Sequence, residues 1–155
     1  MEKDLSSVEN LEPDISVFRT DRPGIRKVLG DLEAEVMEFI WSRPSGQGLT
    51  VRDVFEVFYE RRHMAYTTIM NTMTRLAKKN LLRVEKRDQA FMYFPYYSEE
   101  EFISRFVERI LADLLVSFSG ATLKGIEELP DPKAAARAHQ LLDEIARRRA
   151  AEEDD

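Results

Sequence analysis

Tyr66-Thr67-Thr68-Ile69-Met70-Asn71-Thr72-Met73-Thr74-Arg75-Leu76-Ala77-Lys78-Lys79-Asn80 is the stretch on which the reading of this chain turns. Ile69, Thr72, Met73 and Leu76 recur at helical spacing and form an inward stripe, which leaves Tyr66, Thr67, Met70, Asn71, Thr74, Arg75 and Lys78 facing outward. Asn80 tolerates the left-handed conformation and is expected to stop the helix. Thr and Asn are mediocre helix formers, so an idle solvated face would more often carry Glu, Lys or Gln. Short polar side chains suit a helix that enters the major groove of DNA. Thr67, Asn71 and Thr74 share one face; Asn can pair bidentately with adenine, and Thr can meet a polar base edge or pack on a thymine methyl. Arg75 and Lys78, toward the helix end, suit phosphates. Tyr66 has two readings, stacking on sugar and phosphate or packing over the preceding helix.

Working toward the N-terminus, Thr50 and Asp53 form a capping pair that opens a short helix with Val51, Val54, Phe55 and Phe58 on one side. Before it, Gly30 can cap a helix whose third position is Glu33 and whose stripe is Leu32, Val36, Phe39 and Ile40, widened by Met37 and Trp41. Ser42 to Gly48 makes the intervening turn. Toward the C-terminus the period changes to alternation: Leu82, Val84 and Lys86, then Phe91, Tyr93 and Pro95. That is a β-hairpin with a polar tip over 86–90. Its Arg83, Lys86 and Arg87 read as a wing that touches the phosphate backbone or the adjacent minor groove, although charged hairpin tips also occur without ligands. Three helices and a hairpin in this order predict a mainly α fold with a small β-hairpin wing, a winged helix-turn-helix over residues 29–97.

Ser98 and Glu101 open a long helix in which Phe102, Phe106, Ile110, Leu114 and Phe118 recur every four residues. Asp131-Pro132 opens a last helix, with Ala135, Ala138, Leu141, Leu142 and Ile145 on one face. Such broad apolar faces need cover that a small domain cannot supply, so residues 98–149 are expected to form a helical dimerisation region, with Phe102, Phe106, Ile110, Leu114, Phe118, Leu141, Leu142 and Ile145 as its contacts. Residues 1–28, polar and interrupted by Pro13, Pro23 and Gly24, read as a flexible arm, and 150–155 as an acidic tail.

The 155 residues carry a net charge of −6, which looks wrong for a nucleic-acid binder until it is mapped. From Arg61 to Arg87 there are eight basic residues and one acid, Glu85, a local +7 that leaves −13 for the remainder. A basic face on an acidic body is the pattern phosphate attraction needs, and a solvated charged surface is the plainer alternative. The chain has no cysteine, so thiolate metal sites and disulfides are excluded. No stretch is apolar enough for a membrane span, and the acidic Met1-Glu2-Lys3-Asp4 start lacks the features of a secretory signal, which predicts a cytoplasmic protein. Catalytic patterns are missing too. His63 and His139 have no ligand spacing. Glu99-Glu100-Glu101 occupies a first helical turn, where acids meet the dipole favourably, and Gly46-Gln47-Gly48 lacks the rest of a dinucleotide site. No cofactor and no enzyme chemistry are expected; a hydrolase built on His63 and Glu99–Glu101 would need a pocket the sequence does not supply. The rival from another class is a winged-helix module that docks a protein through the Asn71 face without binding DNA.

Leu29-Gly30-Asp31-Leu32-Glu33, Val36-Met37, Ile40-Trp41, the run from Ala65 to Lys79, and Phe91-Met92-Tyr93 together resemble the penicillinase-repressor (BlaI/MecI/CopY) family of bacterial winged-helix regulators, over residues 29–146. The resemblance implies a homodimer joined through its C-terminal helices that represses transcription from inverted repeats, commonly with TACA/TGTA half-sites. It places Thr67, Asn71 and Thr74 on bases, with Tyr66, Arg75 and Lys78 on the backbone. Many members carry Thr where this chain has Asn71, and Gly where it has Asn80, which leaves its half-site open. Copper-responsive members use a C-terminal cysteine motif that this chain lacks. Members that respond to β-lactams are cut by a partner membrane sensor peptidase at a C-terminal Asn-Phe bond. No asparagine follows Asn80, so release by that same cut is not expected.

Overall fold

The first α-helix starts at Gly30 for a local reason: Oε1 of Glu33 turns back to accept the Gly30 backbone N–H at 3.1 Å, giving helix α1 (Asp31–Ser42) a defined start. A computed structural model describes residues 11–153 and shows this as the first of six α-helices among them. Helix α2 (Val51–Arg62) has the reciprocal box predicted for it, Thr50 Oγ1 accepting from Asp53 N at 3.1 Å and Asp53 Oδ2 accepting from Thr50 N at 3.0 Å. It runs to His63, whose φ of 51° ends it in the left-handed conformation. Helix α3 (Tyr66–Lys78) follows after a three-residue connection and packs on both α1 and α2. Asn80, at φ 63°, stops it as expected, and Leu81 N–H closes on the Leu76 carbonyl at 3.0 Å.

The hairpin is formed by β1 (Leu82–Arg87) and β2 (Ala90–Pro95), antiparallel, with Arg83 opposite Phe94 and Arg87 opposite Ala90. Its turn is only Asp88-Gln89, both at positive φ, 47° and 68°. A two-residue turn of this hand matches strand twist and is normally marked by Gly, which is why the sequence suggests a longer tip. Leu49 and Tyr93 exchange backbone bonds at 3.0 and 2.8 Å, adding a one-residue third strand. Gly48 must lie beside it without a side chain, because a Cβ there would meet Phe94 Cζ at 2.6 Å.

Two compact units divide the chain after Ile103. In the first, Ala34, Val36, Met37, Val54, Phe58, Ile69, Met73 and Leu76 form a closed core. The arm expected to be flexible contributes to it over residues 11–28. Pro13 and Ile25 are buried, Asp14 N–H donates to the Lys79 carbonyl at 2.8 Å, Asn80 Nδ2 donates to the Glu12 carbonyl at 3.2 Å, and a 3₁₀ turn occupies Gly24–Lys27. Its polar composition misleads because backbone bonds, a few buried side chains and the pairing of Arg22 and Arg26 with acids of α1 hold it. Residues 1–10 of that expected arm, and 154–155 of the acidic tail, lie outside the described residues.

The second unit holds most of α4 (Glu99–Ser117), with α5 (Ser119–Glu127) and α6 (Pro132–Glu153). The long helix predicted through Phe118 ends within one residue of that point, Phe118 turning to φ −140°, ψ 52°, and a separate helix follows that the sequence pattern does not announce. Helix α6 continues to Glu153, so the predicted tail is helical as far as it is described. No helix among the described residues is long and apolar enough to cross a membrane.

Candidate nucleic-acid interface

Helix α3 divides cleanly. Ile69, Thr72, Met73 and Leu76 are buried, whereas Tyr66, Thr67, Met70, Asn71, Thr74, Arg75 and Lys78 are all exposed. Thr72 is the one polar residue on the inward side, and its hydroxyl is satisfied by the Thr68 carbonyl at 2.8 Å. The open face is differentiated further. Thr74 Oγ1 donates to the Met70 carbonyl at 2.9 Å, which leaves its methyl group and an acceptor lone pair to meet a ligand. Asn71 makes no hydrogen bond through its amide among the described residues, so both its donor and its acceptor are available. Tyr66 packs over α2, its ring edge-on to that of Phe55 at 5.4 Å, and keeps 44% of its surface exposed. Phe55, Tyr59 and His63 continue this aromatic row, with centroid separations of 5.5 and 4.9 Å.

The basic cluster is less uniform than its sequence suggests. Lys79 is held 2.8 Å from Oε2 of the nearly buried Glu33, which also caps α1. Arg62 pairs with Glu35, and Arg61 lies over the Phe39 and Phe58 rings at 6.0 and 5.5 Å. Arg75 reaches Thr72 Oγ1 at 3.3 Å. Lys78 and Lys86 have no ion-pair partner among the described residues and are exposed. Four of the eight basic side chains are therefore tied to carboxylates, two of them to acids of α1 that lie outside the 61–87 segment.

On the wing, strand alternation separates the three predicted cations. Lys86 lies on the face of Val84 and Phe91, both exposed. Arg83 and Arg87 lie on the other face, their guanidinium carbons 4.6 and 5.1 Å from the Phe94 ring centroid. Both donate to Glu85, Arg87 through Nε at 3.1 Å and Nη2 at 2.8 Å, Arg83 through Nη1. The hydrogen bond from Arg83, reinforced by Arg87, holds the Glu85 carboxyl below its ordinary pKa against the opposing effect of desolvation. Glu85 thus stays ionised wherever an ordinary glutamate does. Phe94 and Gly48 carry no signal of their own in the sequence; counting back from a two-residue turn at Asp88-Gln89 would have placed Phe94 opposite Arg83.

The residues expected to form the dimer contact separate as well. Phe102 is fully buried in the first unit, its ring 5.6 Å from Trp41, whose Nε1 donates to the Tyr97 carbonyl at 2.9 Å. It has no surface left for a second copy, because it is the anchor of α4 in that core. Phe106, Leu142 and Ile145 are also buried, and Ile110 and Leu141 are half-buried. Leu114 and Phe118 remain open at 39% and 64%, joined by Val116 and Leu123, which the four-residue repeat does not include.

Residues 29–148 match the family described as penicillinase repressor. Over 84 residues the chain is 44% identical to the "Transcriptional regulator BlaI" of Mycobacterium tuberculosis, in two strains alike. The aligned stretch is 54% of this chain and 59% of each relative's length.

Proposed function

The chain belongs to the penicillinase repressor family, and on that premise we propose that it is a transcriptional repressor that binds double-stranded DNA as a homodimer on an inverted-repeat operator. The observation that carries the reading is the open face of α3, where Thr67, Asn71 and Thr74 stand together with Met70 between them and Arg75 and Lys78 toward the helix end. Side chains this short on a helix bring its backbone close to the floor of the major groove. Asn71 and Thr74 then read bases, Thr67 joins them, and Arg75 and Lys78 hold phosphates. Tyr66, packed on α2, touches the backbone with its exposed edge, and Lys86 brings the wing to the flanking duplex, with Arg83 and Arg87 adding the charge that Glu85 leaves them.

Two half-sites about one helical turn apart need two reading heads at a fixed spacing. The exposed apolar side chains of Leu114 and Phe118, four positions apart, support a second copy as the spacer, assisted by Ile110 and Leu141. Asn71→Ala is expected to weaken operator binding by about 1–3 kcal/mol and relax sequence preference, whereas Lys78→Ala weakens every duplex alike and flattens the salt dependence. Fluorescence anisotropy on matched and scrambled duplexes measures both. Equal losses on both duplexes for the two variants would overturn the assignment of roles, and salt-independent or absent binding would favour a protein-docking module.

A further inference from the structure

Arg83, Glu85 and Arg87 alternate along β1, so all three side chains emerge on one face, above the Phe94 ring of β2. Each carboxylate oxygen of Glu85 is taken by one arginine: Oε1 by Arg83, Oε2 by the paired donors of Arg87. Two planar cations stacked on one ring and bridged by one acid present a net charge of +1 where the two arginines alone would present +2. One donor group of Arg83 and two of Arg87, which could otherwise meet phosphate oxygens, are turned onto a neighbour instead. The ring beneath them is fixed, since Phe94 is buried and packs against the bare backbone of Gly48. Lys86 stands on the opposite face with no ion-pair partner among the described residues.

Attraction to phosphate is independent of sequence; it raises affinity for every duplex and dilutes the preference that base contacts supply. We propose that Glu85 is a specificity-determining residue of the wing: by holding Arg83 and Arg87 it withholds phosphate attraction and leaves discrimination to α3. The inference rests on the DNA-binding reading above. Glu85 itself touches no base and acts through the two arginines. A purely structural role would give a different signature, since loss of a stabilising residue lowers binding to all duplexes along with the melting temperature.

The test compares the wild-type chain with Glu85→Gln on matched and scrambled duplexes over a salt series, with thermal melting measured alongside. The expected result is a rise of roughly 2–5-fold per wing in affinity for scrambled DNA, the range an exposed ion pair spans, with a smaller rise on the operator and a narrower ratio between them. The slope of log affinity against log salt steepens by about 0.9 for each further phosphate neutralised. Unchanged or weaker binding to scrambled DNA at an unchanged melting temperature overturns the proposal. Should Glu85→Gln unfold the wing, Arg83→Gln and Lys86→Gln decide: a restrained arginine predicts a smaller loss from Arg83→Gln than from Lys86→Gln, and a larger loss overturns the restraint. Absence of salt-dependent binding in the wild-type chain itself is a separate result, which removes the DNA-binding reading and this inference together.

Discussion

The two units of this chain use similar helices to different ends. In the first, ending at Ile103, the inward stripes of α1, α2 and α3 close on one another, and Val36, Val54, Ile69, Met73 and Leu76 have no accessible surface. In the second, the helices are as amphipathic, but among the described residues only Phe106, Ile126, Leu142 and Ile145 are buried hydrophobics, and Leu114, Val116, Phe118 and Leu123 stand open. Three helices, a strap and a hairpin meet around one centre and can cover one another. Helices in sequence without that centre leave a face over. A closed core makes a unit that folds by itself, and an open face makes one that is completed by something else.

The contrast can be broken first where the effect is largest. Phe58→Ala removes a side chain with 1% exposure and should cost about 3–5 kcal/mol of stability at every protein concentration, measured by denaturant unfolding. A cost near zero would mean that the first unit is not closed. Phe118→Ala is its counterpart in the second unit. It should leave the unfolding of the first unit alone and weaken self-association by about 2 kcal/mol, roughly thirtyfold in the dimer dissociation constant by sedimentation. Unchanged association would assign the open face to another partner. Gly48→Ala asks whether the wing belongs to the closed packing: the new Cβ meets the Phe94 ring, and a loss of about 1 kcal/mol is expected by thermal melting. Smallest is Thr74→Val. Its hydroxyl is already bonded to the Met70 carbonyl, so exchanging it for a second methyl should change operator affinity by less than about 0.5 kcal/mol, while Thr74→Ala, which removes the outward methyl, should do more. Equal losses would show that the hydroxyl itself meets the base.

The same contrast explains what could be read from sequence. Residues whose partners are near in the chain were legible: Gly30 with Glu33, Thr50 with Asp53, Ser98 with Glu101, and the two faces of α3, each fixed by a helical period or a cap. Asn80 was legible because few residues accept its conformation. What failed depended on distant partners. Lys79 counts as a free cation until Glu33 is brought beside it, and Phe102 counts as dimer surface until Trp41 covers it. The strap over 11–28 is held by a backbone bond to Lys79 and by Arg22 and Arg26 on acids of α1, partners that the strap's own sequence does not reveal. Helix α5 was not legible because Ser119, Gly120 and Gly125 are turn-forming residues and only Leu123 and Ile126 give it large apolar positions. The α3 face was therefore readable as a surface, whereas the charges around it were not readable as a field.

The pair of bonds between Leu49 and Tyr93 has a consequence in time. These two residues lie 44 positions apart, and everything between them, α2, α3 and β1, must be gathered before the third strand can close. The hairpin itself needs only its own two-residue turn and can form early, but its pairing with Leu49 waits for that closure, which makes this last fastening a late event in folding. The amides of Leu49 and Tyr93 should then exchange with solvent only through openings that dissolve the first unit, at rates matching its buried helices and far below those of Asp88 and Gln89 at the tip. A wing fastened in this way inherits the lifetime of the body that carries it.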